Sequence, residues 1–252
     1  MASQGMHSPV EQFEIKPLIE LTAGGYDISF TNSSLFMLLA IAVSGVFLVT
    51  AMRQGELVPG RMQGAAEMMY EFVADMVRSN VGSEGRAYFP FIFTLFVFLL
   101  FGNMLGLIPY SYTFTSQIIV TFVMAAFVFV GVTVIALFKH GLHFFSFFVP
   151  AGAPKVLIPF LIVIEVISYF VRPVSLSVRL FANMLAGHTM LKVFAGLAVM
   201  ISGAGGIAMA GSLLPFLALI GLTGLEVLVA ALQAYVFTIL TCMYLNDALH
   251  LH

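Results

Sequence analysis

Residues 155–201 read KVLIPFLIVIEVISYFVRPVSLSVRLFANMLAGHTMLKVFAGLAVMI, an apolar run interrupted by single ionisable residues and two prolines. At about 1.5 Å per helical residue it would extend about 70 Å, more than twice the ~30 Å hydrocarbon core of a bilayer. A helix that long must lie strongly tilted or bend, with Pro159 and Pro173 as candidate bend points. A second long apolar segment, 212–246, follows the break Ser202-Gly203-Ala204-Gly205-Gly206. This pair of segments sets the fold class as all-α, polytopic and membrane-embedded.

Composition agrees. Of 252 residues, 61% are hydrophobic and 9% charged, and the mean hydropathy is +1.06. With glycine included the apolar share is roughly 70%, against about 45–50% in soluble domains, where charged residues reach about 25%. So few charges cannot cover a water-soluble globule. The net charge of −2 excludes electrostatic nucleic-acid binding, which needs a basic patch. Cys242 is the lone cysteine, so neither an internal disulfide framework nor a cysteine-based metal cluster is open to this chain.

Outward from the long pair, the chain reads as a single integral membrane domain, 1–252, with about five embedded helices. The segment 1–31 is polar and acidic (Glu11, Glu14, Glu20 and Asp27 against Lys16) and lacks the basic start and apolar stretch of a signal peptide. A first span covers 35–52. Between 61 and 80, Glu67, Glu71, Asp75 and Arg78 recur at helical spacing, while Met62, Met69, Phe72, Met76 and Val77 lie mostly away from them. That pattern is an amphipathic helix with too many charges to cross, placed on the membrane surface or against partner helices. A helical hairpin, 89–138, joins Phe89–Ile108 to Gln117–Phe138 through the short link Pro109-Tyr110-Ser111-Tyr112-Thr113. The Phe-rich stretch Phe144 to Pro154 reads as a loop or partly inserted turn, and 155–246 as the tilted pair. Arg53, Arg61, Arg78, Arg86, Lys139 and Lys155 fall on one side of the membrane and Lys16 on the other. The positive-inside rule then puts the N-terminus outside and the C-terminus in the cytoplasm. No internal repeat is visible, unlike common inverted-repeat transporters.

Ionisable residues inside these spans need a reason, because a charge at a span's centre costs about 2.5–3.5 kcal/mol on insertion scales. The first long segment carries Glu165, Arg172, Arg179, His188 and Lys192, and the second carries Glu226. At 100° per residue Glu165, Arg172, Arg179 and Asn183 fall within about 40° of one another, with Ser168 and Ser175 beside them. His188 and Lys192 point about 140–180° away from Glu165. Glu226 and Gln233 are seven apart on the second segment, with Thr223 and Tyr244 near the same face. Structural readings compete with functional ones at several positions: Glu165 and Arg172 fit a plain ion pair, Lys192 fits snorkelling, His188 fits packing, and Asn183 and Gln233 fit interhelical hydrogen bonds. Arg179 resists such a reading, since it lies too deep to snorkel. A guanidinium cannot pass protons on. It acts only as a fixed positive charge, and no acid at its depth in this chain is an obvious mate. Its carboxylate partner is therefore expected on another subunit.

The run Val171-Arg172-Pro173-Val174-Ser175-Leu176-Ser177-Val178-Arg179-Leu180-Phe181-Ala182-Asn183-Met184-Leu185-Ala186-Gly187-His188 closely resembles the signature of subunit a of the F-type rotary ATP synthase. So do Phe101-Gly102-Asn103-Met104-Leu105-Gly106-Leu107-Ile108-Pro109 and Glu226…Gln233-Ala234-Tyr235-Val236-Phe237, and the resemblance spans the whole chain. It implies the stationary part of a membrane motor, pressed against a ring of c subunits that each carry a membrane carboxylate. Its last two helices would be long and tilted around that ring. Two offset proton half-channels would couple proton translocation to ring rotation and so to ATP synthesis by the catalytic F1 sector. Peripheral-stalk b-type subunits would be further partners. Arg179 would be the essential arginine, and His188 and Glu226 the interacting pair of the outer half-channel, with Asn103 and Gln233 nearby. Glu165, Ser175 and Ser168 would line the exit toward the cytoplasm, and Asn183 would neighbour Arg179. Many family members carry Glu where His188 stands and His where Glu226 stands; the reciprocal arrangement here keeps one of each. A bacterial inner membrane is the expected location, with a mitochondrial inner membrane second.

Two other functions bracket this reading: a secondary transporter or ion channel acting alone, and a membrane-embedded enzyme. His140-x-x-His143 and His250-x-His252 look superficially metal-like but lack a partnering carboxylate motif. The chain has no phosphate-binding loop for ATP chemistry, so no catalytic site, cofactor or metal is expected in it.

Overall fold

The computed structural model describes residues 13–20, 22–23, 26–27, 29–53, 55, 58–108, 111–148, 157–203 and 211–250. Glu11, Pro109, Tyr110, the stretch 149–154, Lys155, the glycine-rich break 204–206 and His252 lie outside the described residues.

Six α-helices carry the fold: α1 (Asn32–Met52), α2 (Arg61–Val81), α3 (Phe89–Gly106), α4 (Ile118–His140), α5 (Ile158–Gly203) and α6 (Leu213–Leu249). Five helical stretches are long and apolar enough to cross a membrane, α2 being the helix left out. Every sequence-based span is present. The first begins three residues earlier than expected, at Asn32. The second stops at Gly106 and the long pair starts at Ile158 and Leu213. The expected loop after α4 begins as a 3-10 helix, Gly141–Phe148.

Of the two proline bend points, Pro159 falls in the first turn of α5, where its missing N–H would have had no partner anyway. Pro173 lies inside α5, and the helix continues past it to Gly203. There the ring removes the hydrogen bond that would reach the carbonyl of Tyr169.

The N-terminal segment holds short strands that hydropathy did not reveal. β1 (Pro17–Ile19) pairs antiparallel with β4 (Phe30–Thr31), and β2 (Thr22–Ala23) with β3 (Tyr26–Asp27). Asn32 ties this hairpin to α1. Its Oδ1 accepts from the backbone N–H of Lys16 (3.2 Å) and Ser33 (2.9 Å), and its Nδ2 donates to the Glu14 carbonyl (3.1 Å). An asparagine at the head of the helix thus satisfies a donor that would otherwise be orphaned.

On α2 the charged face is as expected, with Glu71, Asp75 and Arg78 exposed. The buried face is narrower: Ala66, Val73, Met76, Val77 and Val81 are buried, while Met62 and Phe72 are exposed. The helix stops at Gly82, whose φ of 78° suits only a residue without a side chain.

The chain divides into two compact units built from different parts of the same helices. One comprises 1–44, 98–117 and 180–234; the other comprises 45–97, 118–179 and 235–252. In the second unit, Thr121 and Ser177 hydroxyls meet at 3.1 Å and Thr133 and Tyr169 hydroxyls at 2.7 Å, joining α4 to α5. Such bonds average only about 0.6 kcal/mol between membrane helices. They set the rotation of α5 more than its stability.

Candidate functional site

In the first unit, polar groups gather where the end of α3, the turn after it, α5 and α6 meet. α3 ends at Gly106, whose carbonyl accepts from Ser111 Oγ (2.9 Å) and Thr113 Oγ1 (3.2 Å). The Thr113 hydroxyl also lies 3.0 Å from His188 Nε2, where either atom can be the donor according to the tautomer of the ring. The edge of Phe13 packs on the ring with centroids 6.3 Å apart, and Gln117 Nε2 donates to the Phe13 carbonyl at 2.7 Å.

Asn103 is fully buried on α3. Its Nδ2 donates to the Ala230 carbonyl of α6 (3.2 Å), and its Oδ1 accepts from Thr115 Oγ1 (2.9 Å). The amide nitrogen thus ties α3 to α6, and the amide oxygen ties α3 to the turn that follows it.

Glu226 and Gln233 share the buried face of α6 with Ala230 and Ala234. Glu226 is buried, 8% exposed as a residue, and its carboxyl packs against Gly187, the residue before His188. Its Oε2 has no hydrogen-bond partner among the described residues. A buried polar oxygen without a donor is an uncommon arrangement that calls for a reason. His188 and Glu226 are neighbours through Gly187, with no hydrogen bond between their side chains among the described residues.

The missing side chain at Gly187 matters. A Cβ there would overlap Glu226 Oε1. Gly187→Ala is expected to displace the carboxyl, at an overpacking cost of about 1–3 kcal/mol. Proton pumping by assembled enzyme in membrane vesicles should slow severalfold; wild-type pumping would show that the carboxyl's seat is not critical.

The second unit holds Glu165, Ser175 and Arg179 on α5. Arg179 is exposed, and no carboxylate pairs with it among the described residues. Ser175 is also exposed and donates its hydroxyl to the Arg172 carbonyl at 3.0 Å. Glu165 is half-exposed. Asn183, one turn beyond Arg179 on the same helix, is exposed as well, although it is counted in the first unit.

Arg172 does not pair with Glu165, as its spacing allowed. Its Nη1 donates instead to Asp247 Oδ2 of α6 at 2.9 Å. The sequence alone gives no role to Asp247, Thr113, Thr115 or Gly187. Thr113 and Thr115 stand in a hydroxyl-rich turn between two apolar helices, and Asp247 is the acid of the last turn of α6; these were the available signals. His140 Nε2 bonds the Ala248 carbonyl at 3.1 Å, and no group of three or more His, Cys, Asp or Glu among the described residues is placed to hold a metal.

Five helical stretches long and apolar enough to cross a membrane, with ionisable residues set within them, define a polytopic membrane protein. Residues 34–246 match the family model described as ATP synthase A chain. The chain is 57% identical over 247 residues to ATP synthase subunit a of Rhodospirillum rubrum, covering 98% of this chain and 100% of the relative. Identity is 55% over 242 residues to the subunit a of Parvibaculum lavamentivorans, covering 96% of this chain and 93% of that one. For Agrobacterium fabrum it is 52% over 244 residues, covering 97% and 98%. The chain belongs to the ATP synthase A chain family. It is a non-catalytic, proton-translocating subunit of the membrane sector of an ATP synthase, not a transporter working alone.

Proposed function

We propose that the exposed face of α5 is the surface that meets the ring of c subunits, with Arg179 as the fixed cation opposite the ring carboxylate. The observation that carries this is the solitary state of Arg179: a permanent charge on an apolar helix, without a carboxylate of its own chain among the described residues. A membrane-embedded guanidinium calls for an acid, and an acid on a moving neighbour supplies one.

In this reading His188 and Glu226 exchange protons in the half-channel from the outer side. Asn103 fixes α6 behind Glu226, and Gln233 continues the polar face two turns on. Asn183 flanks Arg179. Glu165 and Ser175 line the path toward the cytoplasm. The N-terminus lies outside and the C-terminus inside a bacterial inner membrane, by the distribution of Lys and Arg. The exposed apolar residues of α2, Met62 and Phe72 among them, suit contact with lipid or with a b-type stalk helix.

Cysteine cross-linking tests the surface. Positions 178, 182 and 186 of α5 are exposed, while Leu180 and Met184 are buried. The native Cys242 is buried and gives little background. Cysteines at 178, 182 and 186 should cross-link to the c-subunit membrane helix in assembled complexes, and cysteines at 180 and 184 should not. Cross-links with no helical periodicity, or none on the exposed set, would overturn the assignment.

A further inference from the structure

α5 carries two arginines seven residues apart, and the protein treats them oppositely. At 1.5 Å rise and 100° per residue they are about 10.5 Å apart along the helix and only about 20° apart around it. Both therefore start on one stripe, with exposed Ser168, Ser175 and Asn183 within about 60° of them. Arg179 stays on that stripe with no carboxylate among the described residues. Arg172 is drawn off it. Its guanidinium donates to Asp247 at 2.9 Å and lies 5.7 Å from the Tyr169 ring centroid and 5.4 Å from that of Tyr244. Its side chain retains 24% exposure and that of Asp247 38%. A carboxylate and two aromatic faces converge on one cation, which is more than a surface ion pair provides.

We propose that Asp247 is a positioning residue that holds Arg172 away from the ring-facing stripe, so that this face presents one cation rather than two. The inference rests on the stator reading given above. A ring carboxylate in a low-dielectric interface has little means of telling one free guanidinium from another. A second one two turns from Arg179 would capture the acid that Arg179 must release, and would offer it a competing resting place. Neutralising Arg172 from α6, and covering it with Tyr169 and Tyr244, removes that trap.

An ordinary strut between α5 and α6 would behave symmetrically: losing either partner would do similar harm. Screening of a surplus cation is asymmetric. In vesicles carrying assembled ATP synthase, with pumping normalised to the amount of assembled enzyme, Asp247→Asn should lower ATP-driven proton pumping about tenfold or more, because it frees Arg172. Arg172→Gln should stay within about twofold of wild type, since it creates no free cation, and Arg172→Gln with Asp247→Asn should return to that level. Asp247→Glu should preserve pumping. Equal losses in the two single variants, or no recovery in the double variant, would overturn the proposal. If Asp247→Asn alone fails to assemble, the double variant still decides: active assembled enzyme sustains the proposal, and inactive or unassembled enzyme overturns it. Wild-type pumping after removal of Arg179 would instead defeat the stator reading itself, so the two failures are told apart.

Discussion

Replacing Arg179 by alanine is expected to abolish ATP-driven proton pumping while the complex still assembles. The side chain stands exposed on α5 and makes no ion pair with its own chain among the described residues, so truncating it breaks no salt bridge of the subunit there. What is lost is a charge. At about 4 Å and an effective dielectric of 20, a guanidinium favours an ionised carboxylate by about 4 kcal/mol, a factor of roughly a thousand. A membrane potential of about 100 mV supplies about 2.3 kcal/mol per charge. The local attraction therefore exceeds the drive to leak past it, and without it the ring acid has no reason to give up its proton at that point. Arg179→Lys keeps a cation, but an ammonium can itself deprotonate when buried and lacks the planar fork. It should support only residual pumping. Quenching of a pH-sensitive dye by inverted vesicles, with assembled ATPase measured in parallel, reads both variants; wild-type quenching by Arg179→Ala would remove Arg179 from the mechanism.

The second large effect is at Glu226. Glutamine has nearly the same shape, so Glu226→Gln should pack against Gly187 as the carboxyl does and leave α6 in place. It cannot bind and release a proton. Positioned proton-transfer groups commonly contribute 10²–10⁴-fold, and a relay with other members left should lose about 10- to 100-fold. The dependence of pumping on pH should change too, because one titrating group has gone while His188 remains. Glu226→Asp keeps the chemistry but retracts the carboxyl by one methylene, and should fall between the two. An unchanged rate and pH profile in Glu226→Gln would take Glu226 out of the relay.

Hydropathy made the membrane helices legible because a bilayer demands long uninterrupted apolar runs, and α1, α3, α4, α5 and α6 supply them. The charges on α2 equally marked the helix that is not apolar enough for a span. The short strands of 17–31 escaped notice, since a few residues in a polar segment carry no periodicity to read. Candidate site residues stood out wherever a polar group interrupted an apolar helix, as at Asn103, His188, Glu226 and Gln233. Their partners did not. Thr113 and Asp247 sit at helix ends, where polar residues are ordinary, and only the folded chain reveals that they reach His188 and Arg172. Gly187 was hidden for another reason: its contribution is a missing atom, which matters only once Glu226 is packed against it.

Around Arg179, the exposed face of α5 is made of short side chains. Val171, Val174, Ser175, Val178, Ala182 and Ala186 are short, while bulkier exposed Phe160, Ile164, Ile167, Phe170 and Met190 lie farther from Arg179 along the helix. Dispersion contacts on so even a surface are individually tiny and change little with position. Another helix sliding across it would find almost no mechanical teeth to engage. On the reading proposed above, a ring moving over this bearing would meet one electrical detent, at Arg179, and its steps would be timed by protonation and not by interlocking.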